Sequence, residues 1–129
     1  MALTSANEQL PLTSVVYGSV ILSAQTAAIG STTIVASAPA GLYKIDVNVQ
    51  RTVAGTSGNL VVNAIYTDDV ASETTAVVTV ADISAAAASA SGILFFENKA
   101  TANINYSVTL GGTAGSLSYN VYILIERLF

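Results

Sequence analysis

The sequence predicts an all-β chain, a single antiparallel β-sandwich or jelly roll of about eight strands with an extended N-terminal arm. Apolar and polar residues alternate with a period of two in the clearest segments, which is typical of half-buried strands. Turn-forming residues separate these segments at short intervals, as in sandwiches and jelly rolls. No segment shows helical periodicity, and 129 residues are most simply one domain.

The predicted elements follow one another along the whole chain. Residues 1–14 contain Pro11 and no strong pattern, and they form the expected arm. The β-sandwich domain is expected to cover residues 15–129. Its predicted strands are 15–22, 32–36, 42–53, 60–67, 74–80, 93–97, 101–110 and 117–127.

The last predicted strand differs from the others in its second face. In "YKIDVNVQR", from Tyr43, and in "TANINYSVTL", from Thr101, one face is apolar and the other polar. The strand 117–127 begins in the same way but becomes apolar on both faces at Tyr122 and Leu124. A strand that is apolar on both faces is covered on both, either by its own fold or by a partner.

Two related glycine-rich stretches begin at Thr52 and at Thr109, "TVAGTSGNLVVNAIY" and "TLGGTAGSLSYNVYI". A phosphate-binding loop needs a lysine after its last glycine and a following helix, whereas here a strand follows each loop. The glycines supply the positive φ angles of short hairpin loops. We therefore expect two hairpins in equivalent places of the two sheets, with both tips at one end of the sandwich.

Composition excludes several classes of function. Charged residues make up 9% of the chain, against about 25% in an ordinary soluble domain. The surface is therefore expected to consist of small polar residues and alanine. Such a surface is expected to be buried against neighbouring subunits. Four scattered cations and a net charge of −4 argue against nucleic-acid binding. The apolar runs are too short and interrupted for a membrane helix. The N-terminus has no basic region and carries Glu8, unlike a secretory signal.

The residues that carry enzyme chemistry are scarce. There is no cysteine and no histidine, which removes thiolate metal sites and histidine-activated triads. The acidic cluster Asp68, Asp69 and Glu73 could bind Ca²⁺, but a plain turn is the favoured interpretation. A glycosidase would need aromatic sugar platforms, and the chain has no tryptophan. We expect no catalytic residue, no cofactor and no enzyme activity.

The tyrosines differ in which face of their predicted strand they occupy. Tyr43, Tyr106 and Tyr119 fall on the apolar phase and are expected in the core. Tyr122 is out of phase, which favours a subunit contact. A face of tyrosines that binds a glycan remains a less favoured alternative.

The segment "GLYKIDVNVQRTVAGTSGNLVVNAIYTDD", together with the final "YNVYILIERLF", resembles a β-sandwich module of structural proteins in tailed bacteriophages. The resemblance covers residues 41–129 and rests on Gly-Leu-Tyr entering a strand, on Tyr-Thr-Asp-Asp closing the next, and on the terminal strand. It implies a virion protein of the head decoration, fibre or tail appendage type, without catalytic residues.

These observations predict a capsid decoration (cement) subunit that binds the outer surface of the shell, in a virion assembled in the host cytoplasm. Its expected partners are its own copies, as a homotrimer, and the major capsid protein. The alternatives are a fibre or appendage tip that binds host glycans, a cellular adhesin or pilus-like subunit, and a self-contained core with a frayed arm. The candidate contact residues are Leu10, Pro11 and Leu12 in the arm and Tyr122, Leu124, Leu128 and Phe129 near the C-terminus.

Overall fold

The computed structural model describes residues 14–85 and 89–129. All regular structure in these residues is β-strand, and no helix among them is long and apolar enough to cross a bilayer. The eight strands are β1 (Val15–Gln25), β2 (Ile29–Ala38), β3 (Gly41–Val53), β4 (Ser57–Thr67), β5 (Ser72–Val80), β6 (Ser89–Asn98), β7 (Ala102–Thr113) and β8 (Ser118–Arg127).

The strands form two four-stranded antiparallel sheets. Sheet I has the order β1-β8-β3-β6, and sheet II has the order β2-β7-β4-β5. Only the β4–β5 connection joins neighbouring strands of one sheet; each of the other connections passes from one sheet to the other. Eight strands wound in this way between two packed sheets make a jelly roll, which confirms the predicted fold class. The predicted arm, apart from Ser14, lies outside the described residues.

The alternating strands place one face of each sheet in a shared core. Tyr43, Tyr106 and Tyr119 are all buried there, as their phase predicts. Tyr43 and Tyr66 each stack on Phe96, with ring centroids 5.8 Å and 4.4 Å apart. The core therefore joins the two sheets through aromatic as well as aliphatic contacts.

The two glycine-rich stretches are not hairpins, because β3 and β4 belong to different sheets, and so do β7 and β8. The prediction was wrong on this point and right that both loops lie at one end. There β4 pairs with β7, with Ser57 opposite Thr113 and Gly58 opposite Gly112, and the Thr56 amide donates to the Thr113 carbonyl. Periodicity along the chain defines the phase of a strand but not which strand lies beside it, and so it could not distinguish a hairpin from a crossover.

Candidate interaction surface

The outer face of sheet I carries three consecutive rows of side chains that include large apolar residues. Strand pairing sets these rows, because directly opposed residues of antiparallel strands point to the same side. From β1 to β6 they are Val16–Glu126–Lys44–Phe95, Ser19–Leu124–Asp46–Ile93 and Ile21–Tyr122–Asn48–Ser91. We call the six apolar members of these rows the apolar face: Val16, Ile21, Ile93, Phe95, Tyr122 and Leu124.

No described residue of the chain covers the centre of this face. Ile21 on β1 is 75% exposed, and Ile93 and Phe95 on β6 are 58% and 59% exposed. Tyr122 and Leu124 on β8 are half-buried by their neighbours. Large apolar side chains that adjoin one another on a surface mark an interaction site more often than isolated ones do.

The exposure of side chains on this face varies from strand to strand. The two edge strands β1 and β6 carry the most exposed side chains, whereas the central strand β3 contributes the short Asp46 and Asn48. Two shallow grooves result. Both lie between the row Ser19–Leu124–Asp46–Ile93 and the row Ile21–Tyr122–Asn48–Ser91, one across β1, β8 and β3 and the other across β3 and β6. The depressions therefore cross the strands, and Tyr122 and Leu124 on β8 stand between β1 and β3.

The charged groups of the face are paired with one another. The Lys44 ammonium lies 3.1 Å from Glu126 and 3.6 Å from Asp46. The hydrogen bond to Glu126 and the charge of Asp46 raise the pKa of Lys44 above its usual value. The Ser14 hydroxyl donates to the second oxygen of Glu126 at 3.3 Å. Since Lys44 contacts both carboxylates, the cluster presents one net negative charge.

The outer face of sheet II has a different composition. Its central strands present Asn63, Ser107, Asn105 and Thr109 between Val61 and Ile65. The Asn63 amide donates to the Ser107 hydroxyl at 3.2 Å, and the Asn105 amide donates to Ser31 at 2.9 Å. These two bonds link polar side chains within the sheet, while the buried Oδ1 atom of Asn105 accepts no hydrogen bond from the described residues.

The predicted contact residues are distributed among three places. Tyr122 and Leu124 lie side by side on the apolar face, as their phase indicates. Leu128 and Phe129 follow the end of β8, where the Leu128 amide donates to the Leu42 carbonyl and the Phe129 carbonyl accepts from the Leu42 amide, both at 2.7 Å. Leu10, Pro11 and Leu12 lie outside the described residues.

Four residues of the apolar face were not predicted from the sequence: Val16, Ile21, Ile93 and Phe95. The signal that identified β8 is also present in "VIL" of β1 and in "ILFF" of β6, where consecutive residues are apolar in both phases. The same pattern also occurs in "LVV" of β4, which lies in sheet II, so the sequence alone does not group β1, β6 and β8. The topology places them together in sheet I.

The acidic stretch after β4 forms a turn. The Asp68 carboxylate accepts hydrogen bonds from the Val70 and Ala71 amides, both at 2.8 Å. These bonds lower the pKa of Asp68. Among the described residues, no group of three or more acidic side chains is placed to hold a metal ion.

Comparison with known proteins identifies a structural likeness but no sequence family. No family model and no curated protein matches the sequence. Among solved structures, the chain is similar to PRD1 vertex protein P5, with a TM-score of 0.55 and 17% identity over 88% of this chain and 98% of that one. A fragment of Clostridium thermocellum endo-1,4-β-D-xylanase 10B is more distant, with a TM-score of 0.41 and 19% identity over 69% of this chain and 17% of that one. The likeness to the vertex protein shows a shared fold.

Proposed function

We propose that this protein is a structural subunit of a phage virion, and that it acts as a capsid decoration subunit on the outer surface of the major capsid shell. On this proposal it performs no catalysis and needs no cofactor. It works by contact alone, and its partners are its own copies, as a trimer, and the major capsid protein.

The observation that carries the proposal is the extent of the fold match. The likeness to PRD1 vertex protein P5 takes in 98% of that chain and 88% of this one, so the two are alike as whole domains. The name of that protein assigns it to a virion vertex. A virion role also agrees with the sequence resemblance to phage structural modules over residues 41–129, which rests on different observations.

The surface chemistry supports a role in assembly. The chain has only twelve charged residues, eight acidic and four basic, and several large apolar side chains of sheet I, among them Ile21, Ile93 and Phe95, point outward. A subunit that binds the assembled shell and not its dissociated parts stabilises the shell by mass action, by about 2.7 kcal/mol at a hundredfold excess over the dissociation constant. A small jelly roll with apolar side chains on its outer face suits this task.

The test is made on virus particles. Virions produced with and without this protein are purified, analysed by mass spectrometry, and heated or diluted rapidly from high salt. We expect the protein in wild-type virions, DNA release at lower temperature without it, and recovery when the purified protein is added back. Its absence from virions, or unchanged resistance without it, would contradict the proposal.

The alternative is a fibre or appendage tip that binds host glycans. It is favoured by exposed hydroxyl side chains at the glycine-rich end, namely Thr56, Ser57 and Ser116. Purified protein that bound host cells or a glycan array, and failed to bind shells lacking it, would select this alternative. Binding to shells without binding to cells would exclude it.

A further inference from the structure

We propose that the apolar face of sheet I is the docking surface of the N-terminal segment of the same chain, with Leu10 and Leu12 packed against Leu124 and Phe95. The contact is intramolecular, so the inference goes beyond the proposed function and does not depend on it. Residues 1–13 lie outside the described residues, and the described part of the chain supports the placement through its point of entry, its dimensions and its charge.

The described chain begins on the outer side of sheet I. The Ser14 hydroxyl donates to Glu126 at 3.3 Å, and the Glu126 carboxylate lies on the outer face, where it also contacts Lys44. Val16, two residues later, stands opposite Glu126 in the first row of the face. The chain that precedes Ser14 therefore leaves the sheet at the border of the apolar face.

The dimensions of the sheet allow the segment to cross the face. An extended chain advances about 3.3–3.6 Å per residue, so Leu12 and Leu10 reach about 7 Å and about 14 Å from Ser14. The strands of a sheet are about 4.8 Å apart, which places β6 about 14 Å from β1. Residues 10–12 are therefore long enough to cover apolar side chains between the two edge strands.

The sequence of the segment favours an extended backbone that is apolar on one side. Pro11 fixes its own φ and disfavours the helical region for Leu10, the residue before it. In an extended chain, residues two positions apart point to the same side. Because Ser14 directs its hydroxyl to the sheet, the same phase turns Leu12 and Leu10 toward the sheet as well.

The charge of the face agrees with an uncharged occupant. The ion-pair cluster around Lys44 leaves one net negative charge, which disfavours both an acidic partner and a second copy of the same face. Residues 9–13 carry no charge, and Glu8, the nearest charged residue, reaches about 20 Å along an extended chain and therefore past β6. The covalent tether gives this neutral segment an effective concentration of about 1 mM at the face, so a separate partner has to compete with it.

The test is nuclear magnetic resonance of the full chain, which has a mass of 13.1 kDa. We expect nuclear Overhauser contacts from the methyl groups of Leu10 and Leu12 to the ring of Phe95 and the methyl groups of Leu124. We expect none to Val70, an exposed valine away from the face. In a mixture of labelled and unlabelled chains, isotope filtering selects contacts between different copies, and these contacts should not pass the filter.

Full-length variants provide a second measurement, with the neutral apolar dye Nile red as the probe of uncovered apolar surface. The double variant L10Q/L12Q changes neither the charge nor any described residue, and we expect its dye fluorescence to rise at least about threefold with an unchanged circular dichroism spectrum. The matched control A2Q/L3Q, earlier in the same segment, should keep the wild-type fluorescence. Adding I93Q and F95Q to L10Q/L12Q should restore the wild-type fluorescence, which locates the dye on the face.

Three results would overturn the inference. They are the absence of contacts between the two leucines and the face, contacts that occur only between different copies, and equal dye fluorescence in L10Q/L12Q and the wild type. The second result would assign the face to the N-terminal segment of a neighbouring copy. Since no virion enters these measurements, such results would leave the proposed virion role to its own test.

Discussion

The two ends of the sandwich are closed by different means. At the glycine-rich end, the loops 54–56 and 114–117 lie together, and the buried side chain of Ile83 packs beside Gly55. At the other end, where the β6–β7 turn lies, the closing group is the buried amide of Asn98. Close packing at the glycine-rich end requires glycines without side chains, whereas the other end is held by the side-chain hydrogen bonds of Asn98. The two ends should therefore respond differently to substitution.

The largest effect is expected at the glycine-rich end, from Gly58→Ala. The φ of Gly58 is +105°, and a Cβ there would overlap the carbonyl oxygen of Gly111 on the paired strand. Because the Cβ is attached directly to the Cα atom and the carbonyl oxygen belongs to the main chain, neither can move without moving the backbone. We expect a loss of more than about 3 kcal/mol in the free energy of unfolding, measured by denaturant titration.

Gly30→Ala is the matched control for that substitution. A Cβ at Gly30 meets nothing within 4 Å, so the free energy of unfolding should change by less than about 0.5 kcal/mol. Equal stability of the two variants would show that the close approach of β4 and β7 does not hold this end together.

The opposite end should respond to Asn98→Ala. The Asn98 amide donates to the carbonyls of Lys99 and Ala102, both at 3.1 Å, and its oxygen accepts from the Thr67 amide at 3.3 Å. Removal leaves these groups without that partner at a buried site, for a loss of about 2 kcal/mol. Thermal and denaturant unfolding measure the change.

Asn120→Ala is the control, because it removes a side-chain amide whose hydrogen-bond partner is exposed. Its oxygen accepts from the exposed amide of Ala24 at 2.9 Å, and we expect a loss of about 0.5 kcal/mol. A loss at position 98 no larger than this would mean that water replaces the Asn98 amide without penalty.

A smaller effect concerns the two tyrosine hydroxyls that bond to loop carbonyls, one at each end. Tyr119 donates to the Ala27 carbonyl at 2.5 Å, and Tyr43 donates to the Pro39 carbonyl at 2.6 Å. Either Tyr→Phe substitution should lower the free energy of unfolding by about 1 kcal/mol at neutral pH. Denaturant titration of both variants makes the comparison.

The same tyrosines predict sensitivity to alkali. Burial raises the pKa of Tyr119 to about 12 and also raises that of Tyr43. Between about pH 10 and 12 the folded chain therefore holds more protons than the unfolded chain, and its stability falls as pH rises. Absorbance of phenolate at 295 nm should rise together with unfolding, and Tyr119→Phe should weaken the dependence. Full ionisation of the folded chain near pH 10 would contradict this.

The smallest effects come from the aspartates of two turns. Hydrogen bonds from the Ser84 hydroxyl and amide lower the pKa of Asp82 at the glycine-rich end, and amides of the β4–β5 turn lower that of Asp68 at the other end. The stability that each contributes is present above about pH 4 and is lost as pH falls through the depressed pKa. Asp68→Asn and Asp82→Asn should each reduce the fall in melting temperature on acidification.

The sequence predicted the positions of the core tyrosines, but not which strands lie next to one another. Alternation located the eight strands and assigned Tyr43, Tyr106 and Tyr119 to the core, because strand phase depends only on neighbours along the chain. It could not show that the two glycine-rich loops cross between sheets. It also drew attention to Tyr122 and Leu124 without placing them beside Ile21 and Ile93.

By itself, then, the sequence determined the all-β class, the strands with their inward faces, and a surface poor in charge. These follow from local periodicity and composition. Only the tertiary structure decided that β1, β8, β3 and β6 are neighbours, and therefore that outward apolar residues from distant segments form one face. The physical reason is that strand order depends on contacts between residues far apart in the chain, such as Ile21 opposite Tyr122, which no local pattern encodes.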